Sequence, residues 1–353
     1  MTAVTGITED DTPLHRLKNS LAETARCPAC HSTKLALNEN EGLRCDDCGA
    51  VYAADADMGL ASLIQPLAPG DLKNDVQAWW GDLYEQAYAG HEDGISPQAF
   101  AEQLGELEDL FQQREHLAVV EMPLEALSGQ QVLEIGPGSG AHSALFKRHG
   151  ANVTAADITA ARAAATARKL NLLPGEGGVA FQADAENLPF RDNRFDIVYS
   201  NGVLHHSPDT VRCIEEVHRV LKPGGKAILM LYSRHSATYW LNILPRAVLT
   251  GEIFRWPEPQ WIGRLTEGRP KFGHTKNPMT RVYSARAVRQ LMKEFQQIEM
   301  RKTSFQFDNF CIPKLSQMRH ALLQRLGHPA HPAGRLVYGA PFVVETNLEK
   351  RLG

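Results

Sequence analysis

A glycine-rich turn follows an apolar run at residues 132–140, which read VLEIGPGSG. An apolar run that ends in Gly136, Gly138 and Gly140 is typical of a buried parallel strand that turns into a helix. Because glycine lacks a Cβ and adopts positive φ, a ligand can lie directly on this main chain. The spacing G-x-G-x-G differs from the G-x-G-x-x-G that seats a pyrophosphate. The turn therefore predicts a nucleotide-like cofactor, and by itself it leaves a nicotinamide cofactor open.

Carboxylates recur where the next two apolar runs end. Asp157 closes ANVTAAD about twenty residues beyond the glycines, where a carboxylate can accept both ribose hydroxyls. Asp184 closes VAFQAD in the same way. The run FDIVYSN then opens into polar residues, and LKPGGK separates an amphipathic helix from another apolar strand. This alternation of strands and helices predicts an α/β fold with a cofactor site at its strand ends.

This part of the chain resembles the class I S-adenosylmethionine-dependent methyltransferases. The matching segments keep the family's order, and they are EIGPGSG, Asp157, Ala183-Asp184, LPFRDNRFDIV and LKPGGK. The resemblance implies a Rossmann-like seven-stranded sheet and S-adenosylmethionine as the cofactor, with Asp157 on the ribose and Asp184 on the adenine amino group. The cofactor-binding residues that it implies are Glu134, Gly136, Gly138, Asp157, Ile158, Asp184, Ala185, Asn201 and Gly202.

Four of the six cysteines form two C-x-x-C pairs, Cys27 with Cys30 and Cys45 with Cys48. This spacing is typical of a zinc ribbon in which four thiolates close a tetrahedral Zn²⁺ site, so the expected metal is structural. A redox pair and a metal-free hairpin are the alternatives. The segment also resembles the Trm112-like zinc modules that accompany methyltransferases. That resemblance implies that it braces the catalytic domain, helps to hold substrate or binds a protein partner.

Two histidines follow the fourth expected core strand, in NGVLHHSPD. Methyl transfer from a sulfonium needs a base only when the acceptor must lose a proton. Because the pKa of histidine is ordinarily about 6.5, His205 and His206 are the candidates for that base; the alternative is that they only pack beneath the turn or line the pocket. In the segment after the fifth strand, His274, Arg281 and Tyr283 are the candidates for substrate contact, with Arg281 as the anchor for a carboxylate or phosphate.

Charge is distributed unevenly along the 353 residues. The net charge is −4, yet residues 235–335 hold sixteen Lys and Arg against six Asp and Glu, an excess of ten positive charges. This asymmetry fits an anionic acceptor or a solvated surface. The first hypothesis is methyl transfer to an oxygen, nitrogen or carbon of a small biosynthetic molecule. An RNA base methyltransferase is the second, weakened by the acidic residues 1–234, and a non-catalytic scaffold that binds a partner is the third.

The composition predicts six consecutive segments. They are a flexible tail (1–25), a zinc ribbon (26–66), a helical lid over cofactor and substrate (67–127), the S-adenosylmethionine-binding core (128–234), a substrate-cap insertion (235–283) and a C-terminal helix with the last core strands (284–353). The N-terminal residues are polar, and no apolar run approaches the roughly twenty residues of a membrane helix. We therefore expect a cytoplasmic protein. We expect no membrane partner, and nucleic acid is a less favoured partner than a small molecule.

Overall fold

The computed structural model describes residues 12–38, 42–86, 90, 94–113, 116–175, 177–236, 238–267, 276–302 and 342–347. The strands are β1 Leu35–Asn38, β2 Gly42–Cys45, β3 Val51–Tyr52, β4 Ala54–Asp55, β5 Leu60–Ser62, β6 Gln131–Ile135, β7 Asn152–Asp157, β8 Val179–Gln182, β9 Phe195–Asn201, β10 Leu221–Leu231, β11 Glu299–Lys302 and β12 Phe342–Asn347.

The α-helices are α1 Pro13–Glu23, α2 Leu72–Tyr84, α3 Pro97–Gln113, α4 Leu117–Val120, α5 Ala141–Arg148, α6 Ala160–Asn171, α7 Thr210–Val220, α8 Leu244–Thr250, α9 Glu252–Arg255, α10 Glu258–Leu265 and α11 Ala285–Leu291. Two 3₁₀ turns are also present, at Leu124–Ala126 and Leu204–His206, together with a π-helical turn at Tyr239–Ile243. In the described part of the chain, none of the helices has the length and apolar character needed to cross a membrane.

Nine strands form the main sheet within the described residues, in the order β11-β12-β10-β9-β6-β7-β8-β5-β4. Strands β6 to β10 pair in parallel, whereas β12 runs antiparallel between β10 and β11. The part of the sheet from β11 to β8 is the Rossmann-like seven-stranded sheet that the sequence predicts, so this prediction is confirmed. The antiparallel strand β12 lies next to the edge of the sheet.

The central strands are buried on both faces. In β6, Leu133 and Ile135 pack in one hydrophobic cluster, whereas Val132 packs in a second cluster with Phe146 and Tyr199. Because successive side chains of a strand point to opposite faces, the two clusters form one apolar layer on each side of the sheet. Helices α1, α7 and α11 contribute to the first layer, and α3 and α5 contribute to the second. These layers fix the strand ends that form the site.

Helix α1 differs from the flexible tail predicted for residues 1–25. The Thr12 side chain caps its first turn. Leu17 and Leu21 lie four residues apart on one face of the helix, and both are buried in the first layer of the core. The polar composition of the segment as a whole obscured this short apolar stripe. Residues 1–11 lie outside the described part of the chain.

The segment that contains the cysteine pairs is continuous with the main sheet. Strands β1, β2 and β3 form a small antiparallel sheet. The hairpin β4–β5 then joins the main sheet, because β5 pairs in parallel with the outer core strand β8. A hydrogen bond of 2.6 Å between the Ser62 hydroxyl and Gln182 Oε1 supports this pairing. The N-terminal segment therefore adds two strands to the methyltransferase-like sheet.

Residues 238–267 form a small helical cap after β10. The π-helical turn, α8, α9 and α10 pack on one another around a core that includes Ile243, Ala247 and Trp261. Helix α10 lies directly on the following segment 277–280, since a Cβ on Gly263 would be 2.7 Å from the Met279 Cα. The absence of a side chain at this glycine lets the two main chains approach.

Candidate active site

A cavity of about 280 Å³ lies at the carboxyl ends of β6, β7, β8 and β9. This is the edge of a parallel sheet at which α/β folds bind their ligands. Helix α2 contributes Lys73, Val76 and Trp80 to the lining of the cavity. Every cofactor-binding residue that the resemblance implies lies in the lining: Glu134, Gly136, Gly138, Asp157, Ile158, Asp184, Ala185, Asn201 and Gly202.

The glycine turn after β6 forms one wall of the cavity. Gly136 and Gly138 have φ angles of 72° and 62°. A Cβ on Gly136 would lie 2.3 Å from the Val203 side chain, so the close approach of the turn after β9 requires glycine at this position. A Cβ on Gly138 would meet only the Arg162 guanidinium, at 3.8 Å. The main chain at Gly138 is therefore open to a ligand.

Asp157 presents a buried and oriented carboxylate at the end of β7. Its Oδ1 accepts hydrogen bonds from the Thr159 main-chain N–H at 2.8 Å and from the Thr159 hydroxyl at 2.9 Å. Burial raises the pKa of Asp157, and this rise is opposed by the Arg162 guanidinium and by the bonds from Thr159. A carboxylate held in this way can accept hydrogen bonds from the hydroxyl groups of a ribose.

Asp184 shares a lysine with Glu186 at the end of β8. The Lys73 ammonium lies 2.6 Å from Asp184 Oδ2 and 2.6 Å from Glu186 Oε2. Burial lowers the pKa of Lys73, but the hydrogen bonds to the two carboxylates outweigh burial and raise it to about 12. The lysine is therefore charged, and it holds helix α2 against the loop that follows Asp184.

Glu134 faces the cavity at the end of β6. Its carboxylate is buried, accepts a hydrogen bond from the Ser143 hydroxyl and lies 3.6 Å from Nδ1 of His142. The same Nδ1 lies 3.2 Å from the Tyr199 hydroxyl. Helix α5 thus positions Glu134 through Ser143 and His142, both of which lie in the first turn after the glycines.

His206 lines the cavity, on the 3₁₀ turn after β9. Its ring is buried, and its centroid is 4.9 Å from that of Trp80. Nε2 makes no hydrogen bond within the described residues. Burial lowers the pKa of His206 below its ordinary value, against the opposing effect of Glu267. The imidazole is therefore neutral at neutral pH, and Nε2 keeps its hydrogen-bonding capacity for a ligand.

The segment 277–280 surrounds the other ring nitrogen of His206. Nδ1 lies 3.2 Å from the Met279 carbonyl oxygen, 3.1 Å from the Thr280 hydroxyl and 3.3 Å from the Asn277 amide nitrogen. The Met279 main-chain N–H donates to Asn277 Oδ1 at 3.2 Å, which fixes the orientation of this amide. Asn277 and Thr280 are both fully buried. Three residues of this segment thus orient one imidazole.

His205 lies away from the cavity lining, unlike its neighbour. Its ring packs 4.0 Å from Tyr232 and 4.2 Å from His206, between centroids. Burial and the neighbouring His206 lower the pKa of His205 well below its ordinary value. A main-chain contact with Met230 opposes this lowering, but neither ring nitrogen makes a hydrogen bond of good geometry within the described residues. Of the two predicted bases, the structure brings only His206 to the cavity, because successive side chains of the turn diverge.

The residues predicted to contact substrate have structural partners instead. Nη2 of Arg281 donates to the Pro208 carbonyl oxygen at 2.8 Å, and neither Arg281 nor Tyr283 lines the cavity. The Tyr283 main-chain N–H donates to the Tyr232 carbonyl at 2.8 Å. These contacts fasten the segment to the sheet, so the structure gives no support to Arg281 as an anion anchor in the cavity. His274 lies outside the described residues.

Sequence reasoning missed Lys73, Arg162 and Glu186, which all line the cavity. The Arg162 guanidinium lies 5.0 Å from the Trp80 ring centroid, and its Nε donates to the Trp80 carbonyl at 3.3 Å. The position of Arg162, five residues after Asp157 in the first turn of α6, could have indicated its role. Lys73 carries no such signal, because helix α2 approaches the site only through tertiary packing.

The four paired cysteines form a candidate metal centre. Their sulfur atoms lie within 4.8 Å of one another, with 3.7 Å between Cys27 and Cys48 and 3.6 Å between Cys30 and Cys45. A zinc tetrahedron with Zn–S bonds of about 2.3 Å has sulfur–sulfur edges of about 3.8 Å. The donor atoms and their spacing therefore fit Zn²⁺.

The two cysteine pairs share one local conformation. The Cys27 carbonyl accepts from the His31 N–H at 2.8 Å, and the Cys45 carbonyl accepts from the Gly49 N–H at 2.9 Å. His31 and Gly49 have positive φ angles, 63° and 74°. His31 thus occupies a left-handed turn position equivalent to that of a glycine, and its ring is not part of the cluster.

The cysteine segment is fastened to the loop that follows Asp184. The Arg26 main-chain N–H donates to the Pro189 carbonyl at 2.9 Å, and the Asn187 side chain donates to the Pro28 carbonyl at 3.0 Å. These two hydrogen bonds connect the candidate metal centre to one side of the cofactor cavity.

The sequence is similar to those of known methyltransferases. A family model described as "Methyltransferase domain" matches residues 133–229. The ubiquinone biosynthesis O-methyltransferase of Pseudomonas aeruginosa is 33% identical over 178 residues, which are 44% of this chain and 73% of that protein. The chain therefore belongs to the class I S-adenosylmethionine-dependent methyltransferases. It is an enzyme whose cofactor is S-adenosylmethionine.

Other relatives are similar over shorter stretches or in fold alone. The ubiquinone/menaquinone biosynthesis C-methyltransferase of Haemophilus ducreyi is 35% identical over 130 residues, which are 33% of this chain and 50% of that protein. A chain from the complex of the Haloferax volcanii Trm112 methyltransferase activator with a methyltransferase has a TM-score of 0.44 at 18% identity, covering 71% of this chain and 95% of that one.

Proposed function

We propose that this enzyme transfers the methyl group to a hydroxyl oxygen of a small biosynthetic molecule, with His206 as the general base. The observation that carries the proposal is the buried Nε2 of His206, which has no partner within the described residues and belongs to a ring that lines the cavity. Similarity to an O-methyltransferase of ubiquinone biosynthesis supports oxygen as the methylated atom. Similarity to a C-methyltransferase makes carbon the second candidate.

When bound, the cofactor supplies an electrophilic methyl group on a sulfonium. Its parts would lie along the cavity lining. The open main chain at Gly138 suits the methionine part, and Asp157 suits the ribose hydroxyls. Asp184 and the Ala185 N–H would hold the adenine, and Asn201 and Gly202 would lie beside the sulfur. Helix α2 would exclude water from this space as a lid, since Trp80 lines the cavity and its ring lies 4.9 Å from that of His206.

A chain of hydroxyl groups supports Nε2 of His206 as the basic nitrogen. A hydroxyl has one proton to donate. The Thr266 hydroxyl lies 3.2 Å from the Gly263 carbonyl, which can only accept, so Thr266 donates there and accepts from Thr280 at 2.9 Å. With its proton committed, Thr280 can only accept from His206 Nδ1. The Met279 carbonyl beside the same nitrogen is also an acceptor. The Asn277 amide nitrogen, a donor 3.3 Å from Nδ1, has a nearer acceptor in the Thr280 hydroxyl at 3.1 Å. These contacts favour the ring proton on Nδ1 and the lone pair on Nε2.

We also propose that Cys27, Cys30, Cys45 and Cys48 bind a structural Zn²⁺ in a Trm112-like ribbon over residues 26–66. The sulfur spacing and the matching turns support this assignment. The ribbon would brace the loop after Asp184, and it could also bind a protein partner. Residues 67–127 would be the lid, 128–234 the cofactor core, 235–283 the cap, and 284–353 the C-terminal helix and last strands.

The test of the proposed function measures release of S-adenosylhomocysteine with a panel of phenols and catechols as acceptors. His206→Asn is expected to retain cofactor binding and to lower kcat by about 100-fold or more, because general-base catalysis contributes 10²–10⁴-fold. His235→Asn changes an exposed histidine near the cap and serves as the matched control. Undiminished turnover by His206→Asn would refute the role of the base. Methylation of RNA, without methylation of any phenol in the panel, would favour the hypothesis of an RNA base methyltransferase.

A further inference from the structure

An exposed apolar face runs along the cap over residues 240–256, which we call the cap face. Its exposed apolar side chains and their exposed fractions are Trp240 53%, Leu241 65%, Val248 50%, Leu249 84%, Phe254 80% and Trp256 42%. In the rest of the described chain, the exposed large apolar side chains are three scattered valines, Val51, Val120 and Val211. Within the described chain, exposed large apolar side chains are thus concentrated in the segment 240–256.

The cap face lies opposite the cap's own core. Ile243 and Ala247 point inward and pack with Trp261. Leu241, Val248 and Leu249 follow at i, i+7 and i+8, which places them on one outer face of the continuous helical segment. A surface helix normally turns polar residues outward. The outward face of this segment is apolar, so it suits an environment less polar than water.

Positive charge borders the cap face. Arg246 and Arg255 are both exposed, and the Arg255 guanidinium lies 3.8 Å from the point that a Cβ on Gly251 would occupy, at the turn between α8 and α9. The acids of α9 and α10, Glu252 and Glu258, are paired with other basic side chains. Among the described contacts, Arg246 and Arg255 have no acidic partner. The charge that remains beside the apolar face is therefore positive.

We propose that the cap face docks the enzyme on the surface of an anionic lipid bilayer. Tryptophans near both ends, aliphatic side chains between them and flanking arginines suit the boundary between headgroups and acyl chains. Charge decides between a bilayer and a second copy of this chain. Two copies would enclose four arginines, two from each chain, in one interface, whereas anionic headgroups neutralise both Arg246 and Arg255. The docking revises the expectation of no membrane partner, and it is independent of the proposed acceptor.

The test is flotation of the full chain with two kinds of vesicle, phosphatidylcholine alone and an equal mixture with phosphatidylglycerol. We expect binding to the anionic vesicles. The double variant Leu249→Ser/Phe254→Ser should bind them at least about tenfold more weakly, since apolar insertion is lost. Arg246→Gln/Arg255→Gln should lose the preference for anionic lipid. Val211→Ser removes an exposed valine from α7 and should bind as the unmodified chain does.

Cofactor binding, measured by calorimetry, should be unchanged in all these variants, which separates loss of docking from loss of the fold or of the proposed function. The proposal is overturned if the unmodified chain does not float with anionic vesicles, or if Leu249→Ser/Phe254→Ser floats equally well. It is also overturned if the chain associates with itself in the absence of lipid and this double variant abolishes the association.

Discussion

The hydroxyl oxygen of Thr280 lies 3.1 Å from Nδ1 of His206, although 74 positions separate the two residues in the chain. Thr280 is fully buried, so water does not compete for this contact. The contact joins the segment after the cap to the turn after β9, where the proposed base lies. The segment 277–280, which follows the cap, therefore helps to orient the imidazole ring.

Thr280→Val tests this orientation. Valine keeps the volume of threonine but cannot accept from Nδ1–H, so one of the two acceptors that hold the proton on that nitrogen is lost. Loss of a hydrogen bond worth about 1 kcal/mol predicts a fall in kcat of roughly fivefold, with little change in cofactor affinity. Thr280→Ser restores the acceptor and should restore kcat. A ¹⁵N spectrum of the His206 ring gives a readout apart from activity, and a protonated Nε2 in the unmodified enzyme would contradict the assignment.

Asp157→Asn tests the ribose contact. The amide keeps the shape of the carboxylate but loses its charge and half of its acceptor capacity. Hydrogen bonds to charged groups contribute about 1.5–3 kcal/mol, so S-adenosylmethionine should bind roughly 10- to 100-fold more weakly. Calorimetry measures the affinity directly. Asp57→Asn, at an exposed position in the β4–β5 turn, is the control, and equal affinities for the two variants would rule out the proposed contact.

The proposed zinc site predicts one Zn²⁺ in each chain by elemental analysis. Cys45→Ser removes one thiolate from a closed site and should release the metal and lower the melting temperature. His31→Asn is the matched control, since asparagine tolerates the positive φ at this position and the imidazole is not a proposed ligand. Retention of zinc by Cys45→Ser, or its loss from His31→Asn, would show that the ligand set is different.

Acid stability should depend on His205. Burial lowers the pKa of this histidine well below its ordinary value. The unfolded chain therefore binds the proton at a higher pH than the folded chain, and the free energy of unfolding falls as the pH drops below about 6.5. His205→Phe keeps an aromatic ring and removes the titrating group, so the decrease between about pH 7 and pH 5 should be smaller. Urea unfolding at several pH values measures the free energy of unfolding. An unchanged pH dependence in His205→Phe would count against His205 as the cause.

Sequence predicted the central sheet well because its signals are local. Each of β6, β7 and β9 is an apolar run followed at once by glycine or by a polar residue, so chain order alone indicated a strand and its end. Helix α1 and the pairing of β5 with β8 depend on distant partners. A strand as short as Leu60–Ser62 has too few residues for an alternating pattern, and only the tertiary fold gives it a neighbour.

The same distinction applies to the candidate site. Gly138, Asp157 and Asp184 lie where their own strands end, and the structure places all three in the cavity lining. Lys73 reaches the cavity from a helix 111 positions away from Asp184 in the chain. Arg281 is a different case: a cation in a basic segment suggested an anionic ligand, whereas Nη2 of its guanidinium donates to the Pro208 carbonyl. For Lys73 and Arg281, the tertiary fold sets the direction of the side chain, and the sequence pattern carries no signal for it.

The pairing of β5 with β8 has a consequence for how this enzyme can be divided. Strand β8 would be the last strand of the core, and an uncovered last strand offers its free N–H and C=O groups to other chains. The hairpin from the cysteine segment covers them and ends the sheet with β4, which has only two residues. A fragment that lacks residues 1–66 would leave β8 uncovered, and we expect it to aggregate. The cysteine segment thus protects the core sheet from self-association through a single three-residue strand.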